Sequence, residues 1–264
     1  MCRLLAYLGA PILLEDLIFK PEHSLVVQSY QPKELEVALL NADGFGLGWH
    51  HPDDTTADPF IYRNVLPIWN DANLPHLCRY VRSRSFVSNI RSATPGLPID
   101  ISNCQPFRHG QLLFVHNGWI ESFRQTLYRP IRDLIGDTAY QNIYGLTDSE
   151  HIFALIVHLL DLDPQLGLRG ALEKAVATIE SLGNKDQVRV SGVIVLSDGE
   201  NLVASRFDNQ AKAPSFYFLM QSDSIILASE PLFDAAWEPL AQSHSLTVSA
   251  STLKPNIHGF SCVS

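Results

Sequence analysis

The chain has 264 residues, of which 46% are hydrophobic and 18% are charged. This is the composition of an ordinary globular protein, and a chain of this length buries enough apolar surface to fold without a disulfide or a structural metal. The formal net charge is −9, and the basic residues are too scattered to form a stripe. We therefore expect no nucleic-acid partner, because neutralising phosphates requires clustered Lys and Arg.

The sequence predicts neither a targeting segment nor a membrane span. Its first residues lack the charged-then-apolar layout of a signal peptide, and no segment reaches the roughly 18 uninterrupted apolar residues of a membrane helix. We therefore expect a cytoplasmic protein with no membrane partner. The four cysteines, at positions 2, 78, 104 and 262, are unevenly spaced, so in a reducing compartment we expect free thiols.

Apolar runs predict strands along much of the chain. In chain order they cover residues 4–9, 45–50, 86–90, 112–115, 187–196, 202–206, 215–220, 224–228 and 246–251. Helical spacing of apolar residues predicts helices over 149–160 and 168–182, the second ending at Gly183. Residues 31–41 are a further helix candidate, and the stretches 51–59 and 95–106 predict surface loops.

The order of these elements predicts an α+β fold. Strand clusters flank the helices rather than alternating with them one by one, which favours mainly antiparallel sheets with helices packed on their outer faces. The sequence contains no internal repeat and no low-complexity linker. We therefore expect residues 1–264 to form one domain.

Cys2 carries the most specific chemical signal. A cysteine that directly follows the initiator Met becomes N-terminal once Met1 is removed. The freed α-amine has an ordinary pKa of about 7.7–8.0 and can accept the thiol proton at neutral pH, so nucleophile and base sit on one residue. The alternative is that Cys2 is only the beginning of a buried strand.

A second signal is the sequence His116-Asn117-Gly118, which follows a short apolar run. Asn-Gly is a common tight-turn pair, and taken alone this motif is better interpreted as a turn. The functional alternative is an oxyanion hole, because an Asn side-chain amide and a Gly backbone N–H can both point at one oxygen.

Two further segments admit both interpretations. Arg91 ends a predicted strand, where a guanidinium can hold a carboxylate in bidentate fashion, although a surface Arg is the more common case. Residues 147–150 (TDSE) open the strongest helix. There Thr147 or Asp148 can cap the helix, and Asp148 can also bind an ammonium group.

Together, and in this order, these segments resemble the class II glutamine amidotransferase family. The resemblance rests on Cys2 and on residues 41–46 (NADGFG), 91–94 (RSAT), 116–118 (HNG), 147–150 (TDSE) and 228–231 (ASEP). It implies the N-terminal-nucleophile hydrolase fold, which is a four-layer αββα sandwich with two mainly antiparallel sheets. It also implies that Cys2 is the nucleophile and that Asn117 and Gly118 form the oxyanion hole.

The resemblance further implies a pocket for a γ-glutamyl group. Arg91 and Thr94 are expected to hold its α-carboxylate and Asp148 its α-amine. The remaining candidates for substrate binding are Asp43, Gly44, His116 and Trp119. Larger members of the family often carry His after the Thr of the Arg motif, and this chain has Pro95 there, so that contact is not carried over.

The leaving group is indicated by a narrower likeness. Residues 1–11 (MCRLLAYLGAP), 26–30, 41–49 (NADGFGLGW) and 90–98 (IRSATPGLP) resemble the amidohydrolases of ergothioneine biosynthesis. That family hydrolyses γ-glutamyl-hercynylcysteine sulfoxide to the cysteine conjugate and glutamate. A trimethylammonium group in such a leaving group favours an aromatic face, and among Tyr30, Phe45, Trp49 and Trp119 we expect Trp119 to provide it.

Other functions stay open at this point. A glutaminase or a γ-glutamyl peptide hydrolase of the glutathione type fits the same core motifs. A catalytically inactive regulatory subunit is a third class, although the complete motif set argues against it. We expect no cofactor, and no metal site because paired Cys or His ligand spacing is absent from the sequence. The partner is a small γ-glutamyl molecule, and the oligomeric state is open.

Overall fold

The computed structural model describes residues 2–34, 40–54, 56–93 and 98–260. Their strands are β1 (Arg3–Leu13), β2 (Phe45–Trp49), β3 (Phe60–Asn64), β4 (Arg82–Ile90), β5 (Phe107–His109), β6 (Leu112–Ile120), β7 (Val190–Ser197), β8 (Asn201–Asp208), β9 (Tyr217–Met220), β10 (Ser224–Ala228), β11 (Glu238–Pro239), β12 (His244–Ser249) and β13 (Asn256–Gly259). Their α-helices are α1 (Glu15–Ile18), α2 (Leu25–Tyr30), α3 (Leu74–Tyr80), α4 (Tyr128–Leu134), α5 (Asp137–Tyr140), α6 (Asp148–Leu162) and α7 (Gly167–Asp186).

The strands form two antiparallel sheets. The first has the order β11-β9-β10-β1-β4-β2-β3, and the second has the order β13-β12-β8-β7-β6-β5. Each pair of neighbouring strands is antiparallel. The predicted mainly antiparallel architecture is therefore confirmed.

Three apolar layers hold these elements together. One lies between the sheets and includes Leu4, Val87 and Val115. A second packs α1 to α3 on the outer face of the first sheet, and a third packs α6 and α7 on the outer face of the second. Alternation of side chains along the strands supplies both faces of each sheet. The resulting order of helix, sheet, sheet and helix is the predicted αββα sandwich.

Most predicted elements are present, with shifted ends. The strand predicted over 4–9 extends to Leu13, and the strand predicted over 112–115 runs on to Ile120. The helix predicted to end at Gly183 continues to Asp186 and stops at Gln187, whose φ is 58°. Of the helix candidate at 31–41, residues 31–34, 40 and 41 are not helical, and residues 35–39 lie outside the described part.

The prediction of a surface loop over 95–106 is wrong for its last residues. Residues 103–106 are buried and lie against strand β2, where Gly46 and Gly48 leave room for them. A Cβ at Gly46 would collide with the carbonyl oxygen of Gln105, and one at Gly48 would lie 2.8 Å from Pro106 Cγ. The glycines of β2 therefore allow the segment that contains Gln105 and Pro106 to approach the strand closely. Treating glycine only as a residue that interrupts strands does not predict this role.

A buried ion group ties the first strand to the loop after α2. Glu230 accepts hydrogen bonds from Arg3 (2.7 Å), from the backbone N–H groups of Lys33 (2.9 Å) and Glu34 (3.0 Å), and it lies 2.6 Å from His23 Nε2. Arg3 and Glu230 are each 1% exposed. Because each oxygen of the carboxylate has partners, the buried charge is compensated.

None of the described helices alone has the length and apolar character of a membrane-spanning helix. The pair formed by Asp148–Leu162 and Pro164–Asp186, bent by 105°, meets the length and composition criterion only when the two are taken together.

We expect Glu230→Gln to lower the free energy of unfolding by about 3–5 kcal/mol, because it leaves a buried guanidinium without its counter-charge. Urea denaturation measures this. The matched control is Asp133→Asn, which removes a carboxylate from an exposed pair 3.9 Å from Arg129 and should cost about 0–1 kcal/mol. Equal effects of the two substitutions would contradict the account.

The same variant should change the response to acid. Burial by itself would raise the pKa of Glu230, but hydrogen bonds from His23 and Lys33 and the charge of Arg3 hold that pKa below its ordinary 4.5. A depressed pKa contributes stability above the ordinary value and loses it as the pH falls through the folded-state value. The stability difference between wild type and Glu230→Gln should therefore shrink below pH 4.5.

Candidate active site

The pairing of β1, β4 and β2 brings three motifs together at one end of these neighbouring strands of the first sheet. Arg3 and Phe45 both pair with Ile90, so the residues just outside these pairs, Cys2, Gly44 and Arg91, lie side by side at the end of the sheet. The Cys2 thiol lies 3.9 Å from the carbonyl oxygen of Ser92. Three segments that are distant in sequence therefore meet at the predicted nucleophile.

The Asp43-Gly44 turn fixes the segment after β4. Backbone hydrogen bonds join Asp43 N to Arg91 O (3.2 Å) and Arg91 N to Gly44 O (2.8 Å), and the Asp43 carboxylate accepts the N–H of Ala93 (2.8 Å). Gly44 has a φ of +104°, and a Cβ there would lie 2.7 Å from Cys104 Sγ. The position therefore requires glycine both for its backbone conformation and for the space beside Cys104.

The second sheet approaches this edge through β6. Asn89 Nδ2 of β4 donates to the carbonyl oxygen of His116 at 3.3 Å. Leu113 and Val115 belong to the core between the sheets, whereas Phe114 belongs to the core under the helices. Alternation along β6 therefore directs Asn117 into the space between the sheets. The same rule directs Cys2 and Arg91 there, since Leu4 and Val87 face that core.

Two buried side chains in this space have polar atoms without partners among the described residues. Asn117 is 1% exposed and Arg91 5% exposed. Within residues 2–34, 40–54, 56–93 and 98–260, no group bonds to either polar atom of the Asn117 amide or to Arg91 Nη1. Buried polar groups are normally paired, so these two side chains are candidates for contact with a ligand.

Asp148 is the first residue of helix α6, and its carboxylate reaches back to β6. Thr147 caps the helix by accepting the N–H of Glu150 (3.3 Å). Asp148 Oδ2 accepts the N–H of Ile120 (2.8 Å), and Oδ1 accepts the N–H of Ser149 (2.8 Å). The two interpretations of this motif thus separate: Thr147 is the cap, and Asp148 is oriented towards the strand that carries Asn117.

The side chain of His116 does not join this group. It points to the helix-facing side of β6, is 1% exposed, and its Nδ1 lies 2.9 Å from Ser149 Oγ. Burial lowers the pKa of His116 below its ordinary value, so the ring is neutral at pH 7. The ring therefore lies across strand β6 from the space between the sheets into which Asn117 is directed.

The interpretation of Asn117-Gly118 as a tight turn is wrong. Both residues lie inside β6 and pair with Val193 and Gly192 of β7. Glycine is required at two of these positions by the His116 ring: a Cβ at Gly118 would collide with it, and one at Gly192 would lie 2.5 Å from its Nε2. The motif is therefore a flat stretch of strand above a buried imidazole.

Trp119, half-buried, follows Asn117 on the same face of β6. The guanidinium of Arg189 lies over its ring, 5.4 Å from the centroid, and is itself held by Asp208 at 2.8 Å. One face of the indole thus already carries a cation. Among the other aromatic candidates, Phe45 and Trp49 belong to the core beneath α1 to α3, and Tyr30 packs edge-on against Trp69.

The structure also identifies residues that the sequence did not single out. Ser229 pairs with Leu4 through two hydrogen bonds of 3.0 Å, one to each backbone polar group, and so anchors the strand behind Cys2. Glu150 accepts the N–H groups of Tyr144 (2.7 Å) and Gly145 (2.6 Å). From the sequence, Ser229 and Glu150 are only members of the motifs at 228–231 and 147–150, without a role of their own.

Thr94 and Cys262 lie outside the described residues. Cys2, Cys78 and Cys104 are free thiols.

A cavity of about 780 Å³ lies between β3, β5 and α6. Its lining includes Arg63, Arg108 and Glu150. The candidate residues Cys2, Arg91, Asn117 and Asp148 do not line it. Groups of three metal-ligating side chains are absent from the described part of the chain. The candidate residues Cys2, Arg91, Asn117 and Asp148 offer a thiol, a guanidinium, an amide and a carboxylate.

Comparisons with known proteins identify the family of this chain. The sequence profile of the class II glutamine amidotransferases matches residues 21–213. The γ-glutamyl-hercynylcysteine sulfoxide hydrolase of Mycolicibacterium smegmatis is 32% identical over 250 residues, which is 94% of this chain and 96% of the relative. The probable glutamine amidotransferase DUG3 of Saccharomyces cerevisiae is 30% identical, over 96% of this chain and 83% of the relative.

Solved structures give the same result. A class II glutamine aminotransferase domain protein from Silicibacter pomeroyi has a TM-score of 0.70 and 28% identity, covering 98% of this chain and 99% of that one. The glutamine phosphoribosylpyrophosphate amidotransferase of Bacillus subtilis has a TM-score of 0.67 at 13% identity, with 98% of this chain covering 49% of it, and this shows a shared fold. The chain therefore belongs to the class II glutamine amidotransferase family.

Proposed function

We propose that this protein is an amidohydrolase that cleaves a γ-glutamyl amide through a thioester on Cys2. The observation that carries the proposal is that Cys2 and Arg91 lie side by side at one end of the first sheet, with Asn117 directed into the space between the sheets. Arg91 Nη1 and the Asn117 amide are buried and have no partner among the described residues. Family membership supports the reaction class.

The proposed chemistry needs only groups of this chain. With Met1 removed, the α-amine of Cys2 accepts the thiol proton, and the thiolate attacks the γ-carbonyl carbon. The Asn117 amide and the Gly118 N–H stabilise the oxyanion. The tetrahedral intermediate collapses as the ammonium gives its proton to the leaving amine. Water, deprotonated by the same amine, then attacks the thioester and releases glutamate, and the proton returns to the thiol.

The glutamyl group offers one carboxylate and one ammonium, and the site offers one partner for each. Arg91 pairs with the α-carboxylate, to which the resemblance adds Thr94, and Asp148 pairs with the α-ammonium. The Asp43-Gly44 turn forms the wall beside the nucleophile. Because Asp43 is already bonded to Ala93 N (2.8 Å), its role is to hold the Arg91 segment as much as to bound the pocket.

For the leaving group we propose hercynylcysteine sulfoxide. The Mycolicibacterium smegmatis relative is named for the hydrolysis of γ-glutamyl-hercynylcysteine sulfoxide, a reaction that releases this group. The likeness to that relative extends over 94% of this chain. Trp119 remains our candidate for the contact with its trimethylammonium. Since Arg189 lies over one face of the indole, the ligand cation uses the other. The second candidate function, a glutamine- or γ-glutamyl-peptide-hydrolysing enzyme, is favoured by the likeness to DUG3.

Glutamate release from three substrates tests the proposal. The purified protein is given γ-glutamyl-hercynylcysteine sulfoxide, glutathione and glutamine at equal concentrations. We expect the highest kcat/KM with the sulfoxide. Highest activity with glutathione or glutamine would favour the second candidate, and no glutamate from any of the three would refute the amidohydrolase.

We expect Met1 to be absent from the active protein, because its peptide bond would turn the catalytic amine into a non-basic amide. Intact-mass analysis measures this. An Ala inserted between Met1 and Cys2 should abolish activity while leaving the unfolding midpoint in urea unchanged, since only the position of the free amine changes. Full activity with Met1 retained would rule out the proposed base.

Arg91→Lys should raise KM for the γ-glutamyl substrate roughly tenfold or more, because Lys keeps the charge but loses the planar fork. Asp148→Asn should do the same at the ammonium. Arg108→Lys is the matched control, since this half-exposed Arg pairs with Asp58 at 3.3 Å and should leave KM unchanged. If Arg91→Lys and Asp148→Asn both keep the wild-type kcat/KM, the pocket has been assigned to the wrong residues.

A further inference from the structure

A chain of hydrogen bonds runs from His116, beneath β6, to the carboxylate of Asp148. His116 Nδ1 lies 2.9 Å from Ser149 Oγ, and Ser149 Oγ donates to Asp148 Oδ1 at 3.3 Å. The N–H of Ser149 donates to the same oxygen at 2.8 Å. The imidazole of the HNG motif and the carboxylate of the TDSE motif are thus joined through a single hydroxyl.

The direction of this chain follows from the donors available. In the arrangement with the Ser149 hydroxyl donating to Asp148, Ser149 Oγ accepts from His116, and the neutral ring then carries its proton on Nδ1. Nε2 is then a bare acceptor. It is buried, and no residue of the described ranges bonds to it, which costs less than burying an unpaired N–H.

The chain leaves the Asp148 carboxylate with a fixed orientation and a free side. Oδ2 is held by the N–H of Ile120 at 2.8 Å, and Oδ1 is held by the two donors of Ser149. A carboxylate has about four lone-pair positions, so these donors leave room for one N–H of an ammonium. Hydrogen bonds at both oxygens restrain the rotation of the Asp148 carboxylate.

We propose that His116 and Ser149 are positioning residues, which orient Asp148 to receive the α-ammonium of the substrate. The inference rests on the proposed function and deepens it, because it assigns His116 a task on the far side of the strand from the substrate. The ring is packed against Gly118 and Gly192, so its place is fixed by the backbone of β6 and β7. The imidazole then sets the hydroxyl, and the hydroxyl sets the carboxylate.

The test compares two amides that differ only in the α-ammonium: the γ-glutamyl amide that the wild type hydrolyses fastest, and the glutaryl amide with the same leaving group. The readout is the ratio of their kcat/KM values, which cancels any general loss of activity. The wild type should prefer the γ-glutamyl amide. Ser149→Ala and His116→Leu should each lower that preference about tenfold, the effect of one hydrogen bond to a charged group.

Three variants serve as controls. His116→Asn has the shape of His116→Leu but keeps a donor near the Nδ1 position, so it should restore much of the preference. Ser149→Thr keeps the hydroxyl and should behave likewise. His151→Leu removes a different buried imidazole, that of His151 in α6, which bonds to Thr147 O (2.7 Å) rather than to Asp148. This variant should leave the preference at its wild-type value.

The outcomes separate the inference from the proposed function. If the wild type hydrolyses neither amide, the proposed function fails, and the inference fails with it. If the wild type prefers the γ-glutamyl amide but Ser149→Ala and His116→Leu slow both amides equally, the amidohydrolase stands and the positioning role is overturned. A selective loss of preference, restored in His116→Asn, supports the inference.

Discussion

The site depends on the pairing of β4 with strands on both sides. Ile90 faces Arg3 on one side and Phe45 on the other, and this register alone aligns the thiol of Cys2 with Arg91 and with the Asp43-Gly44 turn. A shift by one residue would turn Arg91 to the outer face, among the apolar side chains under α1 to α3. Such a shift would also misplace the closely packed side chains of the apolar layers on both faces of these strands, so packing fixes the register on which the chemistry relies.

The second constraint is the contact between the sheets. Asn89 donates across the interface to the carbonyl of His116, and this bond holds β6 against the end of β4. Asn117 can then remain buried with an amide that has no partner in the described part of the chain, although an unsatisfied buried polar group costs about 1–3 kcal/mol. The apolar core between the sheets offsets this cost. A polar group so placed is ready for a charge that develops beside it, with no reorganisation at the moment of reaction.

The sequence predicted the fold well because its signals were local and repeated. Alternating strands and two long amphipathic helices predicted mainly antiparallel sheets with helices on their outer faces, and the family resemblance implied the αββα order. The ends of the elements shifted by only a few residues. Short edge strands such as β5 and β13 were missed, since three or four residues carry too little periodicity. The prediction of a helix at 31–41 failed in its described part, where Glu230 captures the backbone N–H groups of Lys33 and Glu34.

The sequence named candidate site residues but not their geometry. The motifs named Cys2, Arg91, Asn117 and Asp148, and the strand register places Cys2 beside Arg91, whereas the roles of all four residues stay predictions. It was not predictable that Asn117-Gly118 lies in a strand, because the turn preference of Asn-Gly is overridden by pairing with β7. The position of His116 follows from alternation along that strand, which only the strand assignment reveals. The hydroxyl of Ser149 looked like part of a helix start.

The most direct test of the account is to capture the acyl-enzyme. The protein is quenched with acid during steady-state turnover of a γ-glutamyl amide, digested, and mapped by mass spectrometry. The account predicts a γ-glutamyl adduct on one peptide only, the N-terminal peptide that begins at Cys2 without Met1. An adduct on Cys78, Cys104 or Cys262 would contradict it. Turnover by a protein whose N-terminal peptide still carries Met1 and no adduct would contradict it as well.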